Sequence, residues 1–172
     1  MRIMKKHFAL LLVLAYAPAF AGDSGETALR DKLAGHWKTS KEYTLAIAEQ
    51  MPAESYSFKP NADQMTFGEQ MAHIAGANMY FMSIIKGEKP SEESKNFEKA
   101  AVIKMLNESF DVFAKGMNSL SAEQLQKTYK TPDGAMSGLE AIQFAMDHTT
   151  HHRGQCIVYL RVKGIKPADY RF

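Results

Sequence analysis

The chain has 172 residues, with 21 lysines and arginines against 19 acidic residues and a single cysteine. One cysteine excludes an intrachain disulfide, and nearly balanced charge excludes the basic surface that a nucleic-acid binder presents. The length fits one domain built around one hydrophobic core.

Residues 1–21 read as a secretory signal peptide. MRIMKK is basic without an acid, FALLLVLAYAPAF is a short apolar run broken by Pro18, and Ala19-Phe20-Ala21 ends it with a small-x-small cleavage site. A membrane span needs about 20 apolar residues, so the segment is expected to be cleaved after Ala21. The mature chain is then periplasmic or secreted and has no span of its own. Cleavage removes Arg2, Lys5 and Lys6 and no acid, leaving 18 basic residues against 19 acidic ones. The excess positive charge therefore belongs to the leader.

GDSGET (22–27) is expected to be a flexible leader, with the domain proper over 28–172. A first helical segment follows from about Ala28 to Met51, its apolar positions including Leu33, Trp37, Tyr43, Leu45 and Ile47, and Pro52 ends it. A second starts at Thr66-Phe-Gly-Glu69, a capping box in which the threonine hydroxyl and the glutamate satisfy free amides. It runs to Lys86, where Gly87 supplies a left-handed stop. EKPSEESKNFE is a charged loop.

The third segment, about Lys99 to Leu120, carries Val102, Met105, Leu106, Phe110, Phe113 and Met117 at spacings of three and four. KTPDGAM is a turn on Pro132 and Gly134. The fourth segment opens with a second capping box, Ser137-Gly-Leu-Glu140, and runs to Lys163. Four long amphipathic helices predict an all-α four-helix bundle.

The chemistry gathers in HTTHHRGQ (148–155). On a helix advancing about 100° per residue, His148, His152, Gln155 and Tyr159 share one stripe, with His151 at its edge. Histidines four apart project together and can hold one metal ion, but two nitrogens do not make a stable site. His73, in GEQMAHIAGANMYF with Tyr80 two turns on, is the candidate third ligand, flanked by Ala72, Ala75, Gly76 and Ala77 that let a neighbouring helix approach. Three neutral imidazoles with one open position are the ligand set of catalytic zinc sites, and they also suit nickel, cobalt or iron.

TFGEQMAHIAGAN and HTTHHRGQCIVYLRVKGIKP, with their spacing, resemble the DinB/YfiT-like metal-binding four-helix bundles over nearly all of the mature chain. The resemblance implies a divalent metal held by His73, His148 and His152, a hydrolase-type activity on a small-molecule substrate, and homodimers. Some members of that family use low-molecular-weight cytosolic thiols, which an exported protein would not meet.

Of the remaining polar groups, Glu69 is either the cap of its helix or an orienting partner of His73. Gln155 and Tyr159 either bind substrate or fill the interior with satisfied polar tips. Arg153 is expected to pair with an acid on a neighbouring helix, and His36 to serve at the surface or in packing. Cys156 reads as a small buried apolar residue, and the nine methionines of the mature chain as core filler. Three functions follow: a metal-dependent enzyme, a non-catalytic metal-binding protein, or a bundle whose histidines clamp its structure.

Overall fold

The computed structural model describes residues 23–90, 94–132 and 134–171, and the expected signal peptide and its cleavage site lie outside them. In chain order the elements are α1 (Asp23–Gln50), a 3-10 turn (Ala53–Ser55), α2 (Phe67–Lys86), α3 (Lys99–Ser119), α4 (Ala122–Gln126), β1 (Thr128–Thr131), β2 (Gly134–Ser137) and α5 (Gly138–Val162). The four long helices α1, α2, α3 and α5 form the expected bundle. Both capping boxes form as read, Thr66 with Glu69 and Ser137 with Glu140, and Gly87 ends α2 in the left-handed region at φ 67°.

Two expectations are corrected. Of the expected flexible leader, the described part, 23–27, is helical, because α1 starts at Asp23. It contains no proline, and Gly25 costs a helix only about 1 kcal/mol relative to alanine, so the helix extends back from its packed portion. KTPDGAM is more than a turn. It links two short antiparallel strands, with Thr128 opposite Ser137 and Thr131 opposite Gly134. Before them a third capping box, Ser121 with Gln124, starts the unanticipated short helix α4.

Pairs across the helices give the topology. Gly68 meets Phe97, Asn78 meets Ser109 and Gly116 meets Met82, so α2 and α3 run parallel. His73 faces His148 and Phe81 faces Phe144, so α5 runs antiparallel to α2. Lys99 donates to the carbonyls of Glu49 and Met51 at the end of α1, whereas Arg30 reaches the Leu120 carbonyl, so α1 is antiparallel to α3. The parallel α2–α3 pair requires a crossover. The dozen or so residues between them reach about 40 Å when extended, enough to return along a helix about 30 Å long.

The core lies between these helices. Trp37 of α1 stacks on Phe113 (4.3 Å between centroids) and tilts against Phe110 (4.8 Å), while its indole N–H donates to the Phe110 carbonyl at 3.0 Å. At mid-bundle, buried Asn78 donates to Ser109 and accepts from Thr149, each at 3.3 Å, tying α2 to both α3 and α5. These buried polar groups are partnered, so they fix helix register without an unsatisfied donor. Among the described residues no helix is long and apolar enough to cross a membrane.

Candidate metal centre

Helix α2 brings His73, and α5 brings His148 and His152, to the seam where the two helices pack. Their ligand-capable nitrogens all lie within 4.8 Å of one another, and each ring is half-buried. The ring centroids stand 4.8 Å (His73–His148), 4.6 Å (His73–His152) and 4.4 Å (His148–His152) apart. The Nε2 atoms of His73 and His148 approach to 3.1 Å.

That distance has two readings. It suits an N–H···N hydrogen bond between two neutral rings. It also lies close to the roughly 3.3 Å separating two nitrogens bound to one tetrahedral zinc. Nδ1 of His148 is buried without a partner among the described groups, a deficit of about 1–3 kcal/mol. A single imidazole–imidazole hydrogen bond, worth about 1 kcal/mol net, does not offset that. Coordination of a divalent ion, worth about 10 kcal/mol or more in structural sites, does. Burial, reinforced by the neighbouring imidazoles, lowers the pKa of His148 and of His152 to about 4. Both rings are therefore neutral at neutral pH, as metal ligands must be. The donor set fits a divalent transition metal that these three residues could hold.

One residue of this site escaped the sequence analysis. Gln70, one turn before His73 and buried, accepts a hydrogen bond from Nδ1 of His152 at 2.5 Å. Its amide nitrogen donates to Oε1 of Gln155 at 2.7 Å, and the Gln155 amide donates to Nε2 of His151 at 2.8 Å. The two amides fix each other's orientation. With Nδ1 of His152 acting as donor, its Nε2 keeps a lone pair for a metal, the arrangement that outer hydrogen bonds impose on ligating histidines. The signal available in the sequence was position: Gln70 lies three residues from His73 and so shares its side of α2. What concealed it was that its partner lies on another helix.

The other expected site residues divide. Gln155 is the middle link of this chain, and His151 is its exposed end, with its ring 4.8 Å from that of His152. Tyr159 is buried, and its hydroxyl donates to the Met65 carbonyl at 2.8 Å, so it anchors the segment before α2. Glu69 is the cap and not a partner of His73: its Oε2 accepts from the backbone N–H and the hydroxyl of Thr66, at 2.7 and 2.9 Å. The backbone bond and then the hydroxyl bond hold its carboxyl below the usual carboxylate range. Tyr80 packs edge-on against Phe81 at 5.5 Å. Phe81 in turn stacks on half-exposed Phe144 and lies 6.4 Å from the His148 ring, giving the site an apolar flank.

Arg153 corrects an expectation. It does not pair with an acid but is buried against α1, donating to the hydroxyls of Ser40 and Thr44 at 2.7 and 3.1 Å and lying over the Tyr43 ring. Hydroxyls and a π face solvate the guanidinium, and no ion pair with a carboxylate forms among the described residues. His36 is exposed, as expected. Cys156 is fully buried, which raises its thiol pKa and leaves it unreactive.

Residues 24–171 match the model of the DinB family. The chain belongs to the DinB family. This DinB chain is 25% identical over 139 residues to the uncharacterized protein YjoA of Bacillus subtilis (strain 168), covering 78% of this chain and 90% of YjoA. The crystal structure of that DinB-like protein superposes with a TM-score of 0.70 at 23% identity, covering 81% of this chain and 96% of YjoA. A DinB-like protein from Bacillus cereus ATCC 10987 superposes at 0.73 with 17% identity, covering 82% and 97%. At those identities the likeness speaks for the fold.

The supporting role of Gln70 is testable. Gln70→Leu is expected to leave the helices intact and to weaken zinc affinity by about 10–100-fold, the usual effect of removing a group that orients a ligating histidine. Competition against a chromophoric chelator measures this. Wild-type affinity in Gln70→Leu would show that the His152 ring is oriented by packing alone.

Proposed function

We propose that this DinB chain is an exported metal-dependent hydrolase, with His73, His148 and His152 holding one divalent transition metal. The observation that carries the reading is the trio itself: three imidazoles converging at a half-buried seam, joined by no carboxylate or cysteine among the described residues. A closed structural site takes four protein ligands, whereas a catalytic one leaves a position open. Such an ion supplies Lewis acidity and an activated water. Gln70 holds His152 in its ligating tautomer, while Phe81 and Phe144 present an apolar wall beside His148. Among the described residues no carboxylate is hydrogen-bonded to the trio, so the reading assigns none of them as general base. The basic, apolar leader supports export.

A non-catalytic metal-binding protein is the second reading, favoured by that same absence. Turnover separates the two. Ester, amide and phosphate substrates are offered to protein carrying graded amounts of zinc or nickel. Hydrolysis proportional to metal occupancy supports the enzyme. Full occupancy with no turnover across all three classes would leave metal binding as the function.

A further inference from the structure

A cavity of about 840 Å³ is lined by α2, α3 and the segments that lead into each of them, with no residue of α5 in its wall. This volume falls within the usual range for small-molecule sites, about 300–1,000 Å³. Met65, Met79, Met105 and Val112 line it with small Ala72 and Gly76. The methionines expected as core filler thus divide: Met51, Met71, Met82 and Met117 are buried in the core, while these three face the groove. Unbranched thioether chains adapt to varied apolar shapes, which suits them to a ligand wall. Of the three ligand candidates, His73 alone lines the groove, so the groove borders the metal position at that residue.

The charge of the lining selects further. Asp63, Glu69 and Glu108 stand against Lys59, whose ammonium already donates to the Ala62 carbonyl at 2.9 Å. Glu108 pairs with Lys104 at 3.8 Å, with both side chains mostly exposed, a pairing that neutralises little. The groove is therefore apolar along its length and net negative, which disfavours carboxylate and phosphate ligands.

We propose that this groove binds an elongated apolar molecule carrying a cationic amine, and that esters or amides bearing such an amine, cleaved by water at that ester or amide bond, are the substrate class presented to the metal. The second half rests on the hydrolase reading above; the groove itself does not.

The test uses three probes with the same apolar body, phenylbutylamine, phenylbutanol and phenylbutyrate, titrated into metal-free protein and followed by NMR. Metal-free protein removes direct ligation by the amine. The amine is expected to bind saturably and about fivefold more tightly than the carboxylate. Asp63→Asn with Glu108→Gln is expected to narrow that ratio. Val112→Trp, at a partly exposed position that tolerates bulk, and Met105→Trp are expected to abolish amine binding while zinc stoichiometry stays at wild type. His148→Ala is expected to lose zinc and still bind the amine.

No saturable binding, tighter binding of the carboxylate, or undiminished binding in a correctly folded Val112→Trp would each overturn the proposal. So would a shift of Val112→Trp from dimer to monomer in sedimentation with no amine binding to wild type, which would make the groove a contact between two copies of the chain. Amine binding by a protein that takes up no zinc would uphold the groove and sink the hydrolase reading.

Discussion

Zinc in excess is expected to raise the melting temperature of the metal-free protein by about 10 °C, and His148→Ala to abolish that rise. A ligand that binds only the folded state at 1,000 times its dissociation constant adds about 4 kcal/mol. For a domain of this size each kcal/mol moves the midpoint by about 2–4 °C. His148 contributes Nε2 at 3.1 Å from that of His73, and its ring stands 4.8 Å from that of His73 and 4.4 Å from that of His152, so its loss leaves two imidazoles and no adequate site. The substitution should cost the metal-free protein little. The ring it removes is only half-buried and carries a nitrogen with no partner. Metal-free His148→Ala is therefore expected to melt within about 3 °C of metal-free wild type. Scanning calorimetry with and without zinc measures both quantities. An equal zinc-dependent rise in wild type and His148→Ala would mean that the metal binds elsewhere or not at all.

Features of the site carried by a single helix were legible in the sequence; features created by helices meeting were not. The four-residue spacing of His148 and His152 places them on one side of α5 whatever α5 packs against. The small residues around His73 gave a reason for a second helix to approach. Gln70 became visible only when α2 and α5 proved antiparallel, with Gln70 level with His152 and Gln155. The partners of Arg153 were not legible, because hydroxyls at Ser40 and Thr44 carry no signal that distinguishes them from surface positions.

The fold divides in the same way. Thr66, Gly87 and Ser137 set helix ends through local hydrogen bonds and backbone conformation, and those ends fell where expected. At the start of α1 the expectation differed, since Asp23 is already helical where a leader was expected up to residue 27. Strands of four residues, TYKT and GAMS, are too short for alternation to show. The parallel course of α2 and α3 was equally hidden, since a connection of that length permits either a hairpin or a crossover.

Trp37→Ala is expected to lower the stability of the metal-free protein by about 3–5 kcal/mol, a fall of about 10 °C in melting temperature. The indole is 1% exposed, packed against Phe110 and Phe113, and donates to the Phe110 carbonyl, so truncation opens a cavity and also removes that hydrogen bond. Trp37→Phe keeps ring contacts and loses the donor, so its cost should be closer to about 1–1.5 kcal/mol. Because Trp37 joins α1 to α3 while the histidines join α2 to α5, the two perturbations share no partner and should add. Zinc should then raise the midpoint of Trp37→Ala by the same increment as wild type, restoring much of what the cavity removed. The double variant with His148→Ala should show no such recovery. If zinc failed to stabilise Trp37→Ala although His148 was intact, the α1–α3 wall would be needed to hold the α2–α5 seam in its metal-competent form. The site would then be a property of the whole bundle rather than of two helices.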